Sequence, residues 1–218
     1  MIRKSTYTAA LVAALFAAPA SAATVFQGYD LGAGSLAAAP NSVAAATAFD
    51  SAVSGATLID LEGSLGAFSY TPDAFIRSSQ RCAEALCGYN TTSGGSNFLD
   101  VTYNATFNFS TAINAFGAYF TGVQRGDATL TYTDGSTTTL TLPTADLSSG
   151  GTTFFGFYDP GKAITSISYF TGTGGDFVGV DDIRYNAAAV IPLPAGAPLL
   201  LTGIAGFAWL RRRKAKKA

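Results

Sequence analysis

The sequence predicts an all-β fold, an antiparallel β-sandwich with one short N-terminal helix, and three observations predict it. From Thr57 onward the chain is low in charge, rich in Gly, Thr and Phe, and broken into short alternating runs, the pattern of half-buried strands. Nine such runs are bounded by turn residues, enough for two sheets. One pair of runs is joined by Asp134-Gly135, whose tolerance of positive φ suits a type I′ hairpin turn.

The elements follow in chain order. Pro40-Asn41-Ser42 precedes the alanine-rich Val43 to Phe49, so a short helix capped by Asn41 or Ser42 is expected there, pinned to the sheets by Phe49 and Val53. Strands are expected over Thr57 to Glu62, Phe98 to Tyr103, Ala105 to Ser110 and Ile113 to Phe120. Further strands are expected over Ala128 to Thr133, Thr137 to Leu142, Thr153 to Tyr158, Ile164 to Phe170 and Phe177 to Tyr185. The strands flanking Asp134-Gly135 form the clearest hairpin. Asn90 to Ser96 reads as a polar loop.

The two ends differ from this middle. Arg3 and Lys4 precede an apolar run from Ala9 to Ala18, then Pro19 and the small residues Ala20, Ser21 and Ala22. That order predicts a signal peptide over 1–22, cut by signal peptidase between Ala22 and Ala23. Residues 23–186 then form the exported domain and 187–192 a linker. Over 192–218 a tail begins in which Leu193 to Leu210 is an uncharged stretch of 18 residues. At about 1.5 Å per residue it reaches roughly 27 Å, just enough to cross a bilayer. Arg211, Arg212, Arg213 and three lysines follow it and belong on the cytoplasmic side, which leaves the middle of the chain outside.

Between Ala23 and Ala189 five basic residues face all fourteen acids, a net charge of −9. An acidic domain of this kind excludes nucleic acid as a partner. The chain contains no histidine, so Ser-His-Asp and Cys-His centres are excluded and no catalytic residue is expected. Gly172 to Phe177 superficially matches a nucleotide loop, but the strand expected after it is the wrong context. Cys82 and Cys87 lie in the segment read as exported, where a local disulfide is expected; on a regular helix residues five apart diverge, so the bridge requires an irregular loop.

Val190-Ile191-Pro192-Leu193-Pro194-Ala195, the apolar run and Arg211-Arg212-Arg213 together resemble the PEP-CTERM class of sorting signals, in its Val-Pro-Leu-Pro-Ala variant, with Ile191 as an insertion. The resemblance implies recognition by an exosortase-type transpeptidase, removal of the tail near Pro192 to Ala195, and delivery to the cell envelope, outer surface or extracellular matrix. Without such processing the tail is an ordinary single-pass membrane anchor.

Residues 40 to 185 also look like domains that such proteins carry, through Ile59-Asp60-Leu61-Glu62, Phe154 to Phe157 and Val180-Asp181-Asp182-Ile183. The pattern resembles jelly-roll carbohydrate-binding modules, in which acids on the first and last strands hold a structural calcium. By that resemblance Asp60 and Glu62 with Asp181 or Asp182 are candidate calcium ligands. Alternation along a strand lets only one of the adjacent pair Asp181 and Asp182 join by its side chain. An extracellular polysaccharide is the candidate partner. The only tryptophan, Trp209, lies in the tail, so any sugar stacking in the domain falls to other aromatic rings.

Overall fold

The computed structural model describes residues 23–188 except 83, 125, 143–148 and 172–175. Ala20 and Ala22, expected at the signal cleavage site, lie outside the described residues, as do Val190, Pro192, Leu193, Pro194, Ala195, Arg211, Arg212 and Arg213 of the expected sorting tail. Ala23 is described and exposed. Among the described residues no helix is long and apolar enough to cross a membrane.

The elements are β1 (Thr24–Leu31), α1 (Pro40–Ala52), β2 (Thr57–Ile59), β3 (Phe68–Arg77), β4 (Phe98–Thr121), β5 (Asp127–Tyr132), β6 (Thr137–Thr141), β7 (Gly151–Tyr158), β8 (Ile164–Phe170) and β9 (Val178–Ala187). All strand pairings are antiparallel. They form one hydrogen-bonded sheet that curls about β4. The first half of β4 pairs with β3 and β8, and β8 leads on to β5 and β6. The second half lies between β7 and β9, with β1 beyond β7 and β2 beside β9, and β9 also pairs with the start of β4 at Leu99 to Val101.

Between these halves the register with β8 jumps from Asn108↔Ser166 to Ile113↔Ile164. The surplus residues of β4 bend the strand, as bulges do. Its two limbs therefore face each other: the rings of Phe107 and Phe116, both on β4, stack at 6.0 Å, and Phe120 meets Tyr169 of β8 at 4.9 Å. Alternate residues fill the interior; on β5, Ala128, Leu130 and Tyr132 are buried while Asp127, Thr129 and Thr131 look outward.

On β7 the alternation disappears because both faces are covered. Phe155 and Phe157 join the interior, whereas Phe154 packs under α1 with Ala115, Tyr119 and the fully buried Phe49. Phe49 meets the rings of Phe26 and Phe154 at 5.5 and 5.8 Å. The start of α1 differs from the expected cap. Pro40 occupies the first turn, Ala39 is the N-cap, and neither Asn41 nor Ser42 caps by its own side chain. The capping group is Asp30 of β1. It accepts from the backbone amides of Asn41 (3.1 Å) and Ser42 (2.8 Å), and also from the Ser42 hydroxyl (2.7 Å), placing a carboxylate where the helix dipole favours one. The close approach needs Gly28, where a β-carbon would meet the Asn41 carbonyl oxygen at 2.1 Å.

Several boundaries depart from the sequence reading. The three strands expected between Phe98 and Phe120 are one continuous strand of 24 residues, since Asn104 and Ser110 to Ala112 bend the backbone without breaking it. The strand expected over Thr57 to Glu62 ends at Ile59, and β9 runs to Ala187, into the expected linker. Two strands were not expected at all. Gly28 interrupts the pattern of β1, and Pro72 that of β3. The chain tolerates Pro72 because β3 pairs on one side only, with a bulge between Pro72 and Ala74.

Candidate functional site

Residues 78–97 leave the edge strand β3 and lie across the outer side of β4 and β9, and every candidate acid and both cysteines meet there. Cys82 and Cys87 are joined, their Cα atoms 5.6 Å apart, around a short 3-10 turn at Glu84–Leu86 and not an α-helix. Beside the bridge, Arg81 donates to Asp100 of β4 at 2.5 Å and lies over the Phe177 ring at 4.6 Å. Asp100 is buried, and the Arg77 Nε is 3.4 Å away.

After the bridge the loop backbone rests on the strand backbone. Gly88 donates to the Phe177 carbonyl at 2.6 Å, and a β-carbon on Gly88 would meet the Gly179 nitrogen at 2.2 Å. Side chains cannot fit in this crossing. Tyr89 then exchanges hydrogen bonds with Thr121: its amide donates to the threonine hydroxyl at 2.8 Å, and that hydroxyl donates to its carbonyl at 3.0 Å. The Tyr89 hydroxyl is hydrogen-bonded to Thr152, and burial pushes its pKa up to about 12.

The loop ends on the acids. Asp181 is fully buried; one of its oxygens accepts from the Thr91 amide (2.6 Å), the Thr91 hydroxyl (3.0 Å) and the Thr92 amide (3.2 Å), the other from the Asp182 amide (2.8 Å). Asp182 accepts from the Thr92 hydroxyl at 2.7 Å. Glu62 accepts from the amides of Ser96 (2.6 Å) and Asn97 (2.5 Å), and Asp60 from the amide of Glu62 (3.1 Å).

The adjacent pair Asp181 and Asp182 thus serves one loop with both side chains, contrary to the alternation expected of a strand. Asp182 has φ 48°, and the register between β4 and β9 shifts there, from Gly117↔Arg184 to Tyr119↔Asp181. A bulge with a left-handed residue redirects its side chain. Leu61, between Asp60 and Glu62, also has positive φ, 60°, a rare conformation for so large a residue; its burial in the apolar interior holds it.

Asp181, Asp182 and Glu62 act as staples for the loop, each answered by its N–H or O–H donors, whereas Asp60 accepts from the amide of Glu62 beside it. Among the described residues no group of three or more His, Cys, Asp or Glu side chains is placed to hold a metal ion. A calcium ion at Asp181 would have to displace the amides that now point at it. The melting temperature is therefore expected to be the same with millimolar calcium as with magnesium, in a differential scanning measurement; a rise specific to calcium would contradict this account of the acids.

Burial raises the Asp181 carboxyl to about 6, against the donors from Thr91 and Asp182 that pull it down. An unfolded aspartate titrates near 3.9. Between these values the folded state keeps a proton that the unfolded chain has released, so stability falls as pH rises from about 4 to about 6. Asp30 works in the opposite sense. Burial raises its carboxyl, but the donors from Ser42 and Asn41 prevail and hold it below its ordinary value. Its contribution is present above the unfolded pKa and is lost as pH falls through the folded one. Urea titrations at pH 4 and pH 6 should show a decline of about 2 kcal/mol attributable to Asp181, and Asp181→Asn should abolish it.

The sequence identified the acids and the cysteines but not Asp30, Asp100 or Thr91. Buried acids that answer backbone amides carry no sequence signature; glycines such as Gly88, Gly122 and Gly179 are the local sign that backbones cross here.

No family model and no curated protein matches the chain. Solved structures of the family 11 carbohydrate-binding module of the cellulosomal cellulase Lic26A-Cel5E of Clostridium thermocellum are similar at 13% identity and a TM-score of 0.31, covering 62% of this chain and 96% of theirs. A second structure of a family 11 module from the same organism, in complex with a β-1,3-1,4-mixed-linked tetrasaccharide, has the same identity and TM-score and is covered over 98% of its length. Similarity at this level says nothing of a shared site.

Proposed function

We propose that this chain is an exported, non-catalytic protein of the cell surface or extracellular matrix, with a structural or adhesive role, whose jelly-roll-like β-sandwich is delivered by exosortase-type sorting. The observation that carries the reading is the bridge between Cys82 and Cys87. Disulfides of this kind persist in oxidising compartments, and this one closes a loop fixed across an acidic domain. The signal-peptide pattern at 1–22 and the proline motif, apolar run and arginine cluster over Val190 to Arg213 support the same topology.

Export is tested with an amine-reactive, membrane-impermeant label on intact cells. Lys162 is the only lysine between Ala23 and Ala189, and it is exposed. Peptide mapping should find the label on Lys162 before lysis. Labelling of Lys162 only after lysis would overturn surface display.

A second reading, association with extracellular polysaccharide, is favoured by a different observation, the hydroxyl-rich face of the limb that α1 leaves uncovered.

A further inference from the structure

The outward residues of β3, β4, β8, β5 and β6 fall into rows that cross all five strands. The registers align Thr71, Thr106, Ser168, Thr129 and Thr139 in one row. The next row is Ser69, Asn108, Ser166, Thr131 and Thr137. A third row, on four strands, holds Asn104, Phe170, Asp127 and Thr141. None of these residues is buried. Their sequence neighbours Phe107, Leu130, Ile167 and Tyr169 supply the interior. The helix lies on the other limb, and the bridged loop covers β4 at Asp100, beyond the end of the rows.

Adjacent strands stand about 4.8 Å apart and alternate residues about 6.7 Å apart along a strand, so the rows present a repeating grid of hydroxyl and amide groups. Each hydroxyl both donates and accepts and rotates to suit its partner. Neighbours already pair within the grid: Thr106 with Ser168 and Thr129 with Thr139, each at 3.1 Å. In a domain carrying a net charge of −9, these rows hold a single ionisable group, Asp127. In the third row stands an exposed ring, Phe170, at 42% exposure.

We propose that this face binds a neutral polysaccharide chain laid along the hydroxyl rows, with Phe170 stacking on a sugar ring at one end. A neutral polymer fits because an acidic domain repels anionic ones and the grid offers no cation to attract them. Sugar hydroxyls match groups that both donate and accept, and sugar faces match exposed rings. The twist between neighbouring strands takes the rows out of a plane, which suits a single conformable chain over a rigid crystalline surface. The inference rests on the exported reading only for where the protein would meet such a polymer.

The test is affinity electrophoresis of the protein recovered from its envelope through native gels containing dextran, galactomannan or hydroxyethylcellulose, with alginate as the anionic comparison. Retardation by at least one neutral polymer and none by alginate is expected. Phe170→Ala should weaken it at least about tenfold. The double variant Thr129→Val with Thr139→Val should do the same while keeping its melting temperature, since valine is a close shape match and a good strand former. No retardation by any of the three neutral polymers, retardation by alginate alone, or full retardation of both variants would overturn the proposal. Labelling of Lys162 on intact cells together with absent retardation would remove this proposal and leave export standing.

Discussion

Gly88→Ala is expected to destabilise the protein by about 3 kcal/mol and to release the bridged loop from β9. The added β-carbon would meet the Gly179 nitrogen at 2.2 Å and its α-carbon at 2.4 Å. Both are backbone atoms of a strand paired on β4, so neither can turn aside as a side chain could, and overpacking of this kind costs about 1–3 kcal/mol or more. The loop must lift instead. Lifting it removes the Thr91 and Thr92 donors from the buried Asp181, which adds the cost of an unanswered polar group. Gly63→Ala is the control, because a β-carbon there meets nothing within 4 Å. Equilibrium urea unfolding should separate the two variants, and limited proteolysis should cut Gly88→Ala between Ser78 and Asn97 well before any other site. Equal stability of the two variants would mean that the loop does not lie on the strand as described.

Phe49→Ala is expected to cost about 3–5 kcal/mol, the range for removing a buried aromatic ring. Phe49 is fully buried and joins α1 to β1 through Phe26 and to β7 through Phe154. Without it α1 keeps the Asp30 cap and the contact of Asp50 with Arg184 at 2.9 Å, but its apolar contact is reduced to Val53 and small alanines. Hydrogen exchange should therefore show α1 opening while β4 and β8 remain protected. Uniform loss of protection in both regions would show that the helix and the sheet form one cooperative unit.

Much of the strand pattern could be read in the sequence, because it depends on local alternation. Residues 127–142 show Asp-Gly between two alternating runs, and the structure pairs Thr131 with Thr137 there, though only Gly135 has positive φ, so the turn is not the type I′ turn expected. The reading failed where long-range context overrides a local signal. Pro72 and Gly28 discourage a strand, yet β3 has a free edge for the proline and β1 needs the glycine to admit α1. Asn104 and Ser110 resemble breaks between strands, whereas the chain bends through both positions to bring its limbs together. At the candidate site the acids were visible as residue types. Their task was not, since a carboxylate that staples a loop and one that holds a cation share the same sequence. Only the donors converging on Asp181 and Glu62 distinguish the two.

The central claim is that the described domain is exported with its disulfide closed and then separated from its tail. Intact-mass measurement of the protein recovered from its native envelope, before and after reduction, tests it most directly. The account predicts a chain that begins at Ala23, ends near Pro194, lacks Trp209 and gains the mass of two hydrogens on reduction. A mass that retains Met1 to Ala22, or Arg211 to Ala218, or that does not change on reduction, would contradict it.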